Sequence, residues 1–594
     1  MEQVKKLKPF AEIPESFQKL KDRNVYYIDK TGFISYLISQ ERRICVVTRP
    51  RRFGKTLMLR TLQTFFEYVL DKDGNPVDNR RYFEGLKVMN AGEEVLQKMG
   101  QYPVISISFK EVWGDTYENT IAMLNHAVSD ACLPHGEMLK ASGMLSAEQK
   151  KYLQAFIDSN ATEDKLQVFL SLYMRWLKDV TGRETVVLID EYDVPLQKAA
   201  IHDIQHPHDG LFDKTVKLIG KFISSGFKSN SNLAFGIIAG CMRVAKESIF
   251  TGMNNPGVIT VLDNIPEEYW GFTEEEVKTM MTYYGIEDWY PRIEAWYDGY
   301  DYSGRKVFNP WSLLHAIREL VNGSGENAFQ AYWGLTSGND IIDEMIARNP
   351  QHREALARLM DGETMTVPVV ENLSYRDLID NPDAIWSFLL YTGYLKSLKI
   401  WRDEDSMRLA EVAIPNREVY TIFKSSLQRW WNNSLTRYNA RPLIQALWGG
   451  DVQEIKREID LLMNESISVK DAKEDFYHGM LVGVLRTQCE VKSNRESGTG
   501  YPDIVVVEGK RAAILEILEL KCLLPSQIQG IPKREEFRRI PPMMQKLLDE
   551  AETQIRTQYY VEGLRFEKSY LTEIKTYAVC FCRKLCMVRE VKVE

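Results

Sequence analysis

Between residues 25 and 260 short apolar runs alternate with stretches whose apolar positions recur every three or four residues. "RRICVVT" (Arg42–Thr48), "YPVISISF" (Tyr102–Phe109), "TVVLIDEYD" (Thr185–Asp193) and "LAFGIIAG" (Leu233–Gly240) are near-continuous apolar runs of strand length. They read as strands buried on both faces. "GKTLMLRTLQTFFEYVL" (Gly54–Leu70) carries Met58, Leu62, Phe65 and Val69 on one stripe and reads as a helix. "EDKLQVFLSLYMRWLKDVTG" (Glu163–Gly182) reads as another, stopped by its final glycine. Buried strands separated by helices predict an α/β fold with a mostly parallel sheet.

The pattern then changes. "TEEEVKTMMTYYG" (Thr273–Gly285) opens on a capping box, Thr273 with Glu276. In Trp296–Leu320 turn residues and a short strand precede Asn309-Pro310, which opens a helix. Residues 340–465 read as mainly helical, with a hairpin in "WRDEDSMRLAEVAIPNREV". Beyond them come a helix at Lys473–Thr487, the β-runs "DIVVV" and "AAILEILELK", a long helix over Pro542–Tyr560 and a last strand. The expected domains are 1–260, 261–365 (helical or winged-helix), 366–465 (helical linker) and 466–594 (α/β).

A chain of 594 residues exceeds what one core supports, in keeping with that division. The net charge of −8 argues against a chain coated in nucleic acid, though not against a local basic groove. No apolar run reaches the roughly 18 residues of a membrane span. The N-terminus lacks the apolar core of a secretory signal, so a cytoplasmic location is expected. Eight scattered cysteines suit free thiols, with Cys580, Cys582 and Cys586 read as part of a late buried strand. The histidines of "HDIQHPHDG" read as an exposed polar loop, and "PKREEFRRIPP" (Pro532–Pro542) as a solvated basic loop.

"VVTRPRRFGKTLML" joins a strand to a helix through a basic loop ending in Gly-Lys-Thr. Backbone N–H groups at such a helix start, with the helix dipole, attract phosphate. Gly54 permits close approach, Lys55 reaches β- and γ-phosphates, and the Thr56 hydroxyl is placed to ligate Mg²⁺. The glycine that usually opens a phosphate loop is replaced by Arg49. Downstream, an apolar strand ends in Asp190-Glu191, an acidic pair suited to holding Mg²⁺ and polarising the attacking water. The expected nucleotide set is Arg52, Phe53, Gly54, Lys55, Thr56, Leu57 and Asp190, with ATP and Mg²⁺ as ligands. Arg49, Arg51 and Arg52 either contact phosphates or pair with acidic neighbours such as Asp193.

These blocks, with "VYYIDKTGFISYLI", "AGCMRVAKESIFTGMNNPGV" and "WYDGYDYSG…VFNPWSLL", resemble the AAA-ATPase-like P-loop family over roughly residues 10–320. In that family the loop reads Arg-Pro-Arg-Arg-Phe-Gly-Lys-[Ser/Thr], so the absent glycine is a family trait. The resemblance puts Lys55 and Thr56 at the Walker A positions, Asp190 and Glu191 at Walker B, and Arg243 where a sensor meets the γ-phosphate. Ala239 stands where many relatives have a hydroxyl. Asp29 and Lys30 belong to the matching block without an assigned chemistry beyond capping a helix.

In "EVKSNRESGTGYPDIVVVEGKRAAILEILELK" a hairpin brings Asp503 toward Glu519 and Lys521, with period two setting Glu516 on the other face. Two carboxylates hold Mg²⁺ and the lysine orients its water for attack on a phosphodiester. The stretch resembles the PD-(D/E)XK nuclease superfamily, in the form often fused to that ATPase, and implies a restriction-endonuclease-like domain. Glu474 on the preceding helix would complete the metal set of Asp503 and Glu519. Gln554 matches a motif glutamine, with Tyr560 following. The implied partner is nucleic acid, DNA first, with no membrane. A homo-oligomer stays open, since an arginine finger from a neighbour would require one.

Overall fold

The computed structural model describes the chain outside residues 1–6, 11–15, 41–42, 71–74, 243–255, 261–268, 303–304, 335–342, 344–348, 371–372, 382, 438, 466–473, 487, 494–502, 520–532, 558–559, 583–584 and 594. It forms two compact units, Met1–Ile341 with Gly362–Ile422, and Ile342–Asp361 with Phe423–Glu594.

In the first unit the four apolar runs become β1 (Ile44–Thr48), β2 (Val104–Ser108), β3 (Thr185–Asp190) and β4 (Leu233–Gly240), joined by β5 (Gly257–Ile259). All pair in parallel in the order β2-β3-β4-β1-β5. Strand β4 therefore separates the strand that enters the basic loop from the one that ends in Asp190. Burial is complete along β1 and β3. Helix α1 (Lys55–Phe66) covers one face through Met58, Leu62 and Phe65. It stops four residues short of the expected Leu70. Gly100 and Tyr102 donate their N–H groups to the Phe65 and Phe66 carbonyls, and Tyr68 N–H goes to Tyr102 O. Those bonds peel the chain off the helix axis, and Val69 is left exposed. The second expected helix is split into Glu163–Leu166 and α2 (Phe169–Thr181), and α2 stops at Gly182, whose φ is +71°. After β3 follow α3 (Val194–Gln205) and α4 (Leu211–Phe227).

The rest of this unit carries two small sheets. The first is the antiparallel set β6 (Phe272–Thr273), β8 (Arg305–Phe308) and β7 (Tyr300–Tyr302). It is flanked by α5 (Glu274–Tyr284), started by the Thr273–Glu276 capping box, and α6 (Pro310–Val321). The Asn309 side chain accepts from Trp311 and Ser312 N–H at the head of α6. The second sheet adds a third strand to the hairpin expected within the mainly helical stretch 340–465. After α7 (Ala384–Tyr391), the hairpin β10 (Lys396–Arg402) and β11 (Arg408–Ala413) is joined by β9 (Met365–Pro368), paired along Leu409–Val412. That partner lies some forty residues downstream, beyond any local pattern.

The second unit is a mixed sheet in the order β12 (Glu490–Ser493), β13 (Ile504–Glu508), β14 (Arg511–Glu519), β15 (Glu573–Cys582), β16 (Leu585–Glu590). Only the β14–β15 pair is parallel. Ile504, Val506, Ala513 and Leu515 face α8 (Arg441–Gly449), α9 (Val452–Glu465) and α10 (Glu474–Leu485). Val505, Val507, Ala512 and Ile514 face α11 (Lys533–Thr557) and α12 (Tyr560–Glu567). Helix α11 begins inside the stretch expected as a basic loop, because Lys, Arg and Glu are good helix formers whatever their charge. Cys580 and Cys586 are buried on the sheet as free thiols. Among the described residues no helix is long and apolar enough to cross a membrane.

Glu418 is buried in the first unit. One carboxylate oxygen accepts from Ser312 Oγ and Trp333 N–H, both at 2.8 Å, and the other has no partner among the described residues. Burial pushes this carboxyl from its ordinary 4.5 up to about 7. Between those values the folded chain keeps a proton that the unfolded chain has lost. The stabilisation is thus complete below the lower value and lost as pH rises through 7, by up to about 3 kcal/mol. Glu418→Gln should remove this component. Thermal unfolding from about pH 5 to about pH 8 should show the variant gaining on the wild type as pH rises.

Candidate functional site

Both β1 and β3 deliver their C-terminal ends to one edge of the parallel sheet, where open α/β folds bind ligands. The chain leaves β1 through Arg49–Phe53 and enters α1 at Gly54, whose φ is +82°. A Cβ there would meet nothing within 4 Å. The glycine therefore answers to the backbone turn and leaves open space beside the helix start.

Lys55 is buried, and its Nζ donates to the Arg49 carbonyl at 2.8 Å and the Pro50 carbonyl at 2.9 Å. Cys241 Sγ lies 3.5 Å from the same nitrogen. The ammonium is thus held by carbonyls of the loop that precedes it. Thr56 Oγ1 donates to Asp190 Oδ2 at 2.6 Å. A hydroxyl from the first turn of α1 and a carboxylate from the end of β3 so converge on one point, the donor set that a hard cation takes. Asp190 Oδ1 accepts from Glu191 N–H. Burial raises the Asp190 carboxyl, against the Thr56 hydrogen bond and Lys55.

Strand β3 ends at Asp190 because Glu191 adopts φ +53°. Arg52 sits at φ +69°. Left-handed non-glycine residues are costly and gather at functional sites. Burial raises the Glu191 carboxyl, and Asp190 beside it raises it further.

The three arginines part company. Arg49 is 2% exposed and donates to Thr48 O. Arg51 donates to Gln197 Oε1 on α3 at 2.7 Å. Arg52 lies 4.3 Å over the Trp311 ring on α6. Phe53 packs edge-on against Tyr300, with Val307 completing a small cluster. Against the burial of Arg51, Asp193 lends its charge to the guanidinium and helps to hold it in the charged form. Its Oδ2 accepts Cys241 N–H at 2.9 Å and Met242 N–H at 3.1 Å, while Tyr192 donates to Met242 O. Gly240 is required there, since a Cβ would come 2.5 Å from Tyr192 Cε1. Asp193 thus holds the chain as it leaves β4, immediately before Arg243, which itself lies outside the described residues. Ala239 is buried in the core. The polar atom that β4's exit brings to Lys55 is Cys241 Sγ. Sequence reasoning passed over both Cys241 and the clamp on it, whose signal was the second aspartate of "DEYD".

Asp29 accepts from Thr31 N–H and Oγ1 and from Lys87 N–H, securing the start of the helix Gly32–Ser39. Lys30 pairs with Glu276 at 2.6 Å. The histidine stretch starts in the last turn of α3 and continues from His206 as an exposed loop. His202, His206 and Asp209 bring ligand atoms within 4.8 Å of one another.

In the second unit α10 packs against the β13–β14 hairpin. His478 Nε2 donates to the Asp503 carbonyl at 3.0 Å. Tyr477 stacks on Phe581 at 4.3 Å, and Phe581 is the register partner of Glu519. Glu474 opens α10 one turn before His478. The hairpin register pairs Ile504 with Leu515. One step outward brings Asp503 level with Glu516, and Glu519 closes the strand three residues further on. Lys521 lies outside the described residues. Gln554 donates to Tyr560 Oη at 3.4 Å.

Comparison with known proteins agrees with these motifs. Residues 14–250 match the family model described as "Predicted AAA-ATPase", and residues 472–591 match that of the PD-(D/E)XK nuclease superfamily. The parallel sheet and the C-terminal mixed sheet fit those two folds. The chain is also similar to an uncharacterised protein from the vnfD 5′ region of Azotobacter chroococcum mcd 1. The two are 25% identical over 362 residues, which make up 59% of this chain and 58% of that relative. The matched stretch thus spans little more than half of the relative's length.

Asp193→Ala should cost roughly 2–4 kcal/mol, because it strands two backbone donors that a carboxylate now satisfies. Denaturant unfolding of the variant against the wild type measures this loss, and a difference near zero would show the clamp to be idle.

Proposed function

We propose that this protein binds and hydrolyses ATP at the Gly54–Thr56 loop. We further propose that its C-terminal domain is a Mg²⁺-dependent nuclease whose access to nucleic acid, DNA first, follows the ATP state. The observation that carries the first part is the Thr56–Asp190 hydrogen bond of 2.6 Å beside a phosphate-binding helix start. Mg²⁺ on Thr56 and Asp190, and on Glu474, Asp503 and Glu519 in the C-terminal domain, supplies charge neutralisation for phosphoryl oxygens.

The chain's own groups do the rest. Lys55 exchanges the Arg49 and Pro50 carbonyls for phosphate oxygens. Glu191 holds the attacking water and takes its proton, and its raised carboxyl makes it the stronger base. Arg243 is the expected γ-phosphate sensor. In the C-terminal domain Lys521 orients the water that attacks the phosphodiester.

Lys55→Ala should abolish ATP turnover. Glu191→Gln should still bind ATP but turn over about 10²–10⁴-fold more slowly. Turnover should also fall on the acid side at a pH above the ordinary glutamate value, because burial raises the Glu191 carboxyl. Single-turnover hydrolysis across pH measures all three, and full activity in Lys55→Ala rejects the site.

A second reading, a domain that binds nucleic acid without cutting it, draws on the hairpin register that levels Asp503 with Glu516. Mg²⁺-dependent cleavage assays separate the two. Loss of cutting in Asp503→Ala, Lys521→Ala and Glu519→Gln, with Glu516→Gln active, is expected of the nuclease. No cutting by the wild type leaves the binding role. Equal cleavage with ATP, with ADP and in Lys55→Ala counts against control by the ATP state.

A further inference from the structure

Helix α3 begins just after the acidic pair and ends at the stretch His202–Gly210, on the way to α4. The nucleotide site makes no use of that end. His202 lies in the last turn of α3, and His206 is its C-cap. The His206 N–H donates to the His202 carbonyl at 2.7 Å, so one helical turn sets both rings on the same face. Their centroids are 4.7 Å apart. The chain then folds back, with Asp209 N–H donating to the His206 carbonyl. Gly210, at φ +61°, makes the left-handed turn into α4. That return sets Asp209 Oδ2 3.6 Å from His202 Nε2. Ligand atoms of His202, His206 and Asp209 all lie within 4.8 Å of one another.

Three features say what such a group holds. The first is the state of the rings. His202 Nδ1 lies 3.5 Å from Asp203 Oδ1, and His206 Nδ1 lies 3.3 Å from the His202 carbonyl. A carboxylate and a carbonyl only accept, so each Nδ1 carries the ring proton and each Nε2 keeps its lone pair. Metal-binding histidines are oriented in this way, by an acceptor on the other nitrogen.

The second feature is spacing. Two donors bound to one tetrahedral ion at about 2.0–2.1 Å stand roughly 3.3 Å apart. His202 Nε2 and Asp209 Oδ2 are already near that separation. His206 and Asp209 are exposed, so their side chains are free to rotate onto an ion.

The third feature is charge. The last carbonyls of α3 carry partial negative charge, which favours a cation. The opposite charge at the start of α4 is met by Asp203, whose two carboxylate oxygens accept from Leu211 and Phe212 N–H at 3.0 Å each. One carboxylate thus caps α4 and orients His202.

From these we infer that His202, His206 and Asp209 form a binding site for a divalent transition-metal ion, Zn²⁺ first, which fastens the end of α3 to the turn into α4. Two imidazoles and one carboxylate suit Zn²⁺, Co²⁺ or Ni²⁺ rather than Mg²⁺, which takes oxygen ligands. Water completes the coordination, because the group opens to solvent. The site is separate from the Mg²⁺ proposed for Thr56 and Asp190, and it stands whether or not the chain hydrolyses ATP.

Calorimetric titration of the full chain with Zn²⁺, in an excess of Mg²⁺, tests this. Losing a ligand costs at least as much as losing its hydrogen-bond partner. His202→Ala and His206→Ala should therefore each weaken Zn²⁺ binding by about 100-fold or more, and Asp209→Asn should weaken it too. The last two sit on exposed side chains, so a loss there is not a loss of fold. His208→Ala, in the same loop but outside the group, should bind as the wild type does. Co²⁺ in place of Zn²⁺ should give visible d–d bands without a thiolate charge-transfer band, and His206→Ala should abolish them. Absence of Zn²⁺ binding by the wild type overturns the site, as does unchanged binding in His202→Ala and His206→Ala. So does a thiolate charge-transfer band, which puts the ion on cysteines, or a loss in His208→Ala as large as that in His206→Ala.

Discussion

The Thr56–Asp190 hydrogen bond ties together two strand ends that are not neighbours in the sheet. Strand β4 runs between β1 and β3, so the loop and the acidic pair meet only because both chains leave the sheet at the same edge. The placement of Glu191, Lys55 and the exit from β4 all follows from that meeting. A buried carboxylate is tolerated there because a hydroxyl, a backbone N–H and a nearby ammonium share its charge.

Around this point the backbone is bent in ways that regular structure would not allow. Arg52 and Glu191 both adopt left-handed conformations, one on each side of the Thr56–Asp190 bond. The left-handed backbone at Glu191 is what ends β3. Tyr192 and Asp193 then secure the exit of β4, and Gly240 leaves room for them. The loop, the acidic pair and the exit of β4 are thus held by hydrogen bonds that meet around Lys55 and Asp193.

The second unit solves a similar problem with helix and sheet. Its hairpin is anchored on both faces by apolar packing, and α10 reaches it through His478 on the Asp503 carbonyl and Tyr477 on Phe581. The contact to Asp503 is made through its backbone carbonyl.

Much of this was written in the sequence. The continuous apolar runs specified β1 to β4, because a strand buried on both faces cannot carry polar residues. Gly-Lys-Thr after a strand and Asp-Glu at the end of another specified the phosphate loop and its acidic partner, because that chemistry needs those groups at strand ends. The capping box at Thr273 and the Asn309-Pro310 start were equally local. What the tertiary structure decided lies in pairings between distant segments. Strand β9 exists through its partner β11, the separation of Arg49, Arg51 and Arg52 follows from Thr48, Gln197 and Trp311, and an aromatic cavity is assembled from residues near 10, 26, 57 and 311. Local spacing encodes which element forms. Which side chains share a space depends on long-range packing, and no period along the chain records it.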